Sequence, residues 1–259
     1  MAVSPVEALL VLDVGNTRVG LARWDDDGLH DAKRVATSNW DSIEGSLGEL
    51  WERVGAARSR AIVMSSVDPS VAARLAESVV DVCQTESLRI RDDIALPLPL
   101  NLPVDDEVGA DRVCAAAAAY DRVRGACAVA SFGTAITVDV VSAEGEFLGG
   151  SIMPGLRLSF EALHEYTAAL PLVTAARPES AIGKTTREAI LHGVVFGAVG
   201  ALREHVERYA TELGEWPNLT LTGGDAELIA PYADFIDAVA PDLCLSGVAL
   251  AYRKAAGLR

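Results

Sequence analysis

The sequence predicts an α/β fold built from two related lobes, and three observations predict it. Asp13-Val14-Gly15-Asn16-Thr17 aligns with Ser131-Phe132-Gly133-Thr134-Ala135 at an offset of 118 residues. Each copy follows a short apolar run and precedes a second strand-like run and an acidic turn containing glycine, Gly28 and Gly145. Apolar runs of strand length alternate with helix-length segments along the chain. The 259 residues, half of them hydrophobic, fit one large or two small domains and exclude a disordered chain. A duplicated strand–turn–strand unit followed by helices predicts lobes at 1–108 and 109–259, with a ligand cleft between two facing glycine turns.

The elements follow from local pattern. Residues 8–13 (ALLVLD) form a buried strand that stops at Gly15, and 17–24 (TRVGLARW) return antiparallel to it. Asp25-Asp26-Asp27-Gly28 reads as a solvated hairpin tip rather than a metal site. Residues 61–67 are a further buried strand, and Asp68-Pro69-Ser70 starts a helix to about Val80. Pro97, Pro99 and Pro103 make 96–104 an irregular linker. Residues 111–124 form an Ala-rich helix between Gly109 and Gly125. Strands at 126–130 and 136–141 flank the second glycine turn. Helices follow at 156–168 and 185–212. Thr185 and Glu188 have capping-box spacing, Gly214 ends that helix, and Gly193, Gly197 and Gly200 inside it predict close packing on another element. A strand at 219–221 and a helix at 242–254 complete the chain.

Charge removes several functions. With 37 acidic against 22 basic residues, the net formal charge is −15. Such a surface repels phosphate backbones and anionic lipid, so neither a nucleic acid nor a membrane is an expected partner. No apolar stretch reaches the roughly 18 residues of a span, and the first residues lack the cationic start of a signal peptide. Cys83, Cys114, Cys127 and Cys244 have neither zinc spacing nor the density of a disulfide scaffold; they read as reduced, mostly buried thiols of a cytoplasmic protein. The four histidines show no ligand spacing. A phosphate-bearing substrate therefore has to be held locally, by backbone N–H groups, a metal ion or a few placed cations.

Three glycine turns can do this. Gly15 permits close backbone approach, and the N–H groups of Asn16 and Thr17 can point at phosphate oxygens. Asp13, at the strand end, is placed to hold Mg²⁺ largely through water. Gly133-Thr134-Ala135 repeats the cradle. Thr222-Gly223-Gly224-Asp225 is a strand-to-helix turn on which an adenosine can lie. Two rival motifs fail: Gly183-Lys184-Thr185 has Pro178 where a Walker A loop needs its first glycine, and the Asp13 turn lacks G-x-G-x-x-G. In Gly109-Ala110-Asp111-Arg112, Asp111 alone reads as a helix N-cap, but Arg112 in a first helical turn opposes the dipole and points to an anion.

Taken in order, DVGNT at 13–17, SSVDP at 65–69, GADR at 109–112, FGTAITVD at 132–139, GGSIMPG at 149–155, LP at 170–171, IGKTT at 182–186, TGGDA at 222–226 and DLCLSGV at 242–248 resemble the type III pantothenate kinases over nearly the whole chain. The resemblance implies two duplicated ribonuclease-H-like lobes of the actin-like ATPase kind. It also implies transfer of a phosphoryl group from ATP to pantothenate, the first step of coenzyme A synthesis. By the same resemblance Asp13, Val14, Gly15, Asn16, Thr17, Arg18, Val19 and Gly20 form the first phosphate loop, with Asp13 serving Mg²⁺. Thr134 contacts ATP phosphate, and Gly223 and Gly224 contact the nucleotide. Gly109, Ala110, Asp111, Arg112 and Thr186 bind pantothenate, with Asp111 as the base and Arg112 either on the substrate carboxylate or steadying Asp111. A homodimer is implied too. Two positions depart from the family pattern. Ser131 stands where an Asp usually ligates an activating monovalent cation (K⁺ or NH₄⁺), and Leu102 stands where a Tyr borders the pantothenate pocket. These departures keep two other readings open: a kinase for another small hydroxy acid, and a nucleotide-binding regulatory protein with weakened catalysis.

Overall fold

The computed structural model describes residues 3–55, 57, 59–103 and 108–258. Packing divides the chain into two compact units: Met1–Ala118 with Asp242–Arg259, and Ala119–Pro241. The last helix therefore packs with the first unit, a return that no local pattern in the sequence announces.

In the first unit, β1 (Ala8–Val14) is buried along nearly its whole length and lies at the centre of its sheet. It pairs antiparallel with β2 (Arg18–Asp25), which pairs with β3 (Gly28–Ala36). On its other side it pairs parallel with β4 (Arg60–Ser66), which pairs with β5 (Ser87–Arg89). A strand with neighbours on both sides and helices on both faces needs a continuous apolar run, which ALLVLDV supplies. One face, with Leu10, Leu12, Val19, Leu21, Ile62 and Met64, packs against α1 (Trp40–Val54) and α2 (Pro69–Cys83). The opposite face, with Leu9, Val11, Ala22 and Val63, packs against the start of α3 (Ala110–Val123) and the last helix, α7 (Leu243–Ala255).

In the second unit β6 (Cys127–Phe132), β7 (Ala135–Val141), β8 (Phe147–Pro154), β9 (Asn218–Thr222) and β10 (Ala238–Val239) make a sheet in the order β8-β7-β6-β9-β10. Its pairings repeat those of the first sheet, antiparallel through the two hairpin strands and parallel through the two crossovers. Both hairpin glycines take a left-handed φ, +119° at Gly28 and +85° at Gly145, so the repeat extends to backbone conformation. The core is formed with α4 (Leu156–Glu165), α5 (Thr186–Leu213) and α6 (Ala226–Ile229). The two lobes thus share one ribonuclease-H-like topology.

The capping box at Thr185 and Glu188 forms, and Gly214 closes α5 at φ +76°. The expected close packing of Gly193, Gly197 and Gly200 is not met: a Cβ at each would touch no atom of the described chain. These glycines line the exposed side of α5, while Ile190, Val195, Leu202 and Val206 face the core. Gly149 and Gly150 lie inside β8. Gly150 is required there because a Cβ would stand 2.1 Å from the Val138 carbonyl oxygen. The proline segment is irregular as expected, with Leu98 buried and Lys254 Nζ donating to the Pro97 carbonyl at 2.7 Å; its end at Val104 lies outside the described residues.

Helices α3 and α7 approach each other closely at Gly247. A Cβ on Gly247 would lie 1.9 Å from the Cys114 carbonyl oxygen, which is backbone and cannot swing aside. Gly247→Ala is expected to cost about 3 kcal/mol, the upper part of the overpacking range. Denaturant unfolding checks this, and a loss below about 1 kcal/mol would show that the helices separate easily.

Candidate active site

Register across the first sheet builds the site. Ser65 on β4 pairs with Asp13 on β1, Asp13 pairs with Gly20 on β2, and Gly20 pairs with Arg34 on β3. The four form one row on the face covered by α3 and α7. Asp13 follows Leu9 and Val11 on that face by strand alternation, so a carboxylate is delivered to the end of an apolar stripe. Gly20 lies between Asp13 and Leu245; a Cβ there would make ordinary contacts at 3.6 Å with the Asp13 Cβ and with Leu245.

Asp13 retains some exposed surface, yet its carboxylate is desolvated, and its pKa rises from 3.8 to about 6. Burial is the main cause and the nearby Asp111 carboxylate the second; the Cys244 thiol and the Arg34 charge work the other way. Asp111 lies in the first turn of α3, which starts one residue earlier than the sequence pattern suggested. Burial raises its pKa, against the backbone N–H and charge of Arg112 and its own N–H. Its Oδ1 is buried without a hydrogen-bond partner. Gly109 makes this pose possible, because a Cβ there would stand 2.5 Å from that same Oδ1. Two desolvated carboxylates, one with an orphan oxygen, are suited to a cation and to a hydroxyl donor. Cys114 is drawn into the same cluster. Burial and then the two carboxylates push its thiol far up, while the Ser65 hydroxyl acts in the opposite sense.

The first loop is closed by its own backbone. Gly15 N–H donates to the Arg18 carbonyl at 3.0 Å and Val67 N–H to the Val14 carbonyl at 3.1 Å, which docks the SSVDP segment on the end of β1. Asn16 and Arg18 stand exposed at its tip.

In the second unit three glycine contacts converge on residues 132–134. Gly155, at the N-cap of α4, donates to the Thr134 carbonyl at 3.1 Å, and a Cβ on it would stand 2.3 Å from the Gly133 carbonyl oxygen. Gly223, at φ +94°, would place a Cβ 2.4 Å from the Phe132 carbonyl oxygen, which also accepts from Asp225 N–H at 3.1 Å. Three motifs that the sequence shows far apart are thus one backbone cluster: Gly133-Thr134, the end of GGSIMPG, and TGGD. Gly224 is exposed beside them.

Other expected site residues fall elsewhere. Ser131 is half-buried and sits in register between Thr137 and Thr222, on the sheet face that also carries buried Asp139. Thr186 is the exposed first residue of α5. Leu102 is half-buried, and residues 104–107, which separate it from Gly109, lie outside the described residues. Gly183-Lys184-Thr185 is a helix entry rather than a phosphate loop, since the N–H groups of Lys184 and Thr185 donate to Glu188 Oε2 at 2.6 and 3.2 Å. Among the described residues, no three His, Cys, Asp or Glu side chains could hold a metal ion together. No described helix is long and apolar enough to cross a membrane.

Sequence reasoning missed Arg34, Ser65, Asp242 and the site role of Cys114 and Cys244. Arg34 enters only through strand register. The helix partners of Asp13 come from segments about 100 and 230 residues away, a pairing that only packing creates.

The family model described as type III pantothenate kinase matches residues 9–208. A type III pantothenate kinase of Anaeromyxobacter sp. (strain K) is 38% identical over 251 residues, covering 95% of this chain and 99% of that protein. That of Geobacter sulfurreducens is 35% identical over 251 residues, with 95% and 98% covered. A solved structure described as a conserved putative Baf family transcriptional activator from Campylobacter jejuni superposes with a TM-score of 0.62 at 18% identity. It covers 96% of this chain and all of that one, a likeness of fold.

Proposed function

The chain belongs to the type III pantothenate kinase family, and from that premise we propose that it phosphorylates the primary hydroxyl of pantothenate with ATP, opening coenzyme A synthesis in the cytoplasm. The observation that carries the reading is the desolvated pair of Asp13 on β1 and Asp111 on the helix that covers it, both held above the ordinary carboxylate range.

Asp111 is the proposed base. Its unpartnered Oδ1 can accept the substrate hydroxyl, and its raised proton affinity suits it to take that proton. Arg112, through its N–H and its charge, steadies the Asp111 carboxylate. Asp13 would hold Mg²⁺, largely through water, and the ion when bound neutralises phosphate charge. Asp13–Gly20 in the first unit, and Thr134, Gly223 and Gly224 in the second, are the proposed nucleotide contacts. Gly109, Ala110, Thr186 and Leu102 are proposed for pantothenate. Phosphoryl transfer depends mainly on positioning and charge stabilisation, which glycine-shaped backbone provides without a strongly cationic surface.

The purified chain with MgATP should release ADP on adding pantothenate, and faster than with any other small hydroxy acid. ATP binding without turnover would favour the regulatory reading instead.

Three further assignments belong to the proposal. The repeat copies divide at 108/109, ahead of the point in α3 where the packing units divide. A homodimer is proposed, with the open glycine face of α5 as one contact surface. At Ser131 a hydroxyl replaces the carboxylate expected to hold a monovalent cation, so dependence on K⁺ should be shallow. Initial rates with K⁺ exchanged for a bulky organic cation should change by less than about threefold. A steep K⁺ requirement removed by Ser131→Ala would overturn this.

A further inference from the structure

Asp242 breaks a local rule. It stands at the N-cap of α7, where an Asp carboxylate ordinarily accepts from the first N–H groups of its helix, yet it makes no such bond. Its side chain faces Arg34 instead: Oδ1 lies 2.8 Å from Arg34 NH2, an ion pair without hydrogen-bond alignment. Arg34 comes from β3, beyond Gly20 from Asp13 in the same row. Two residues after Asp242, Cys244 is a neighbour of the Asp13 carboxylate, and its thiol lowers the proton affinity that burial has raised. The first turn of α7 is thus tied to the sheet at two points, one ionic and one on the proposed metal-holding carboxylate. A helix that gives up its own cap for a distant partner indicates that its position, rather than its stability, is what the contact serves.

We infer that Arg34 is a positioning residue: by holding Asp242 it fixes the first turn of α7 so that Cys244 orients the Asp13 carboxylate. For its effect on turnover this rests on the function proposed above; for the geometry it does not. Arg34 and Asp242 touch no substrate in this role. Arg34→Met removes the tie, and Arg34→Lys retains a cation of similar reach without the guanidinium fork.

The test uses the full chain and two readouts. The first is the rate at which iodoacetamide alkylates Cys244 in the nucleotide-free protein, followed by peptide mass. Cys83, Cys114 and Cys127 are buried and serve as internal controls. Arg34→Met should speed Cys244 alkylation by about fivefold or more as the thiol leaves Asp13, with Arg34→Lys within about twofold of the parent. The second is turnover: Arg34→Met should lower kcat by about tenfold or more, with KM for pantothenate changed by less than about twofold, and Arg34→Lys should recover most of it. The inference is overturned if Arg34→Met leaves Cys244 reactivity within about twofold, or if all four thiols become reactive together, which marks general loosening. If the parent chain fails to phosphorylate pantothenate, the proposed function falls and the alkylation readout alone decides the inference.

Discussion

Asp111→Asn should lower kcat for pantothenate by about 10²–10⁴-fold while ATP affinity changes by less than about threefold. The physical reason is the Asp111 carboxylate itself: a desolvated group with one orphan oxygen, held open over Gly109 at the start of α3. Asn keeps the shape and removes the proton acceptor. The parent's pH–rate profile should add a second sign. With the Asp111 pKa raised by burial, the acid limb of kcat/KM should lie above the usual carboxylate range, and activity should rise with pH through it. Turnover of the Asn variant within about tenfold of the parent would show that Asp111 serves the helix and not the chemistry. Gly109→Ala is the companion variant, since a methyl group at 2.5 Å from Oδ1 must displace the same carboxylate.

Asp13→Asn should do two opposite things: weaken the response to Mg²⁺ and stabilise the nucleotide-free fold. The folded pKa of Asp13, about 6, is above its ordinary 3.8. A group shifted upward favours the fold in its protonated form, so its contribution is complete below about 3.8 and is lost as pH rises through about 6. The shift corresponds to about 3 kcal/mol, which is absent at neutral pH. Asn carries no charge to desolvate. At pH 7.5 the variant should therefore unfold at higher denaturant than the parent, by up to about 3 kcal/mol, and the difference should vanish near pH 4. MgATP should stabilise the parent more than the variant, because a bound cation relieves the buried charge. Parallel stability curves for the two proteins between pH 4 and 7.5 would refute this electrostatic account. The expected trade of stability for function is typical of a site that keeps charge out of water.

Much of this fold is legible in the sequence. The duplicated glycine turns, the strands around them, the capping box at Thr185 and the left-handed Gly214 all depend on interactions within a few residues, so local pattern carries them. Asp13 and Asp111 stand out in the sequence through motif order; that both carboxylates are desolvated, one on β1 and one on the helix beside it, is a matter of packing. Reading failed where the cause was distant. Three glycines in α5 suggested a packed face and turned out open, because spacing along a helix says which side a residue is on but not what lies opposite. Asp242 looked like an ordinary helix start, since nothing beside it in the chain reveals a guanidinium arriving from β3.

The sequence by itself therefore determined the class of fold, the two copies, the turns that can approach phosphate and the carboxylates available for chemistry. These follow from backbone conformational preference and from apolar periodicity, both short-range. Only the tertiary structure decided that α7 returns to the first sheet, that Gly247 lets it sit against Cys114, and that Gly155 and Gly223 close on residues 132–134. It alone decided that Asp13 would share its face with Asp111, Cys244 and Arg34. That neighbourhood sets the proton affinity of Asp13, because proton affinity depends on what surrounds a carboxylate in space, however far away in the chain its neighbours begin.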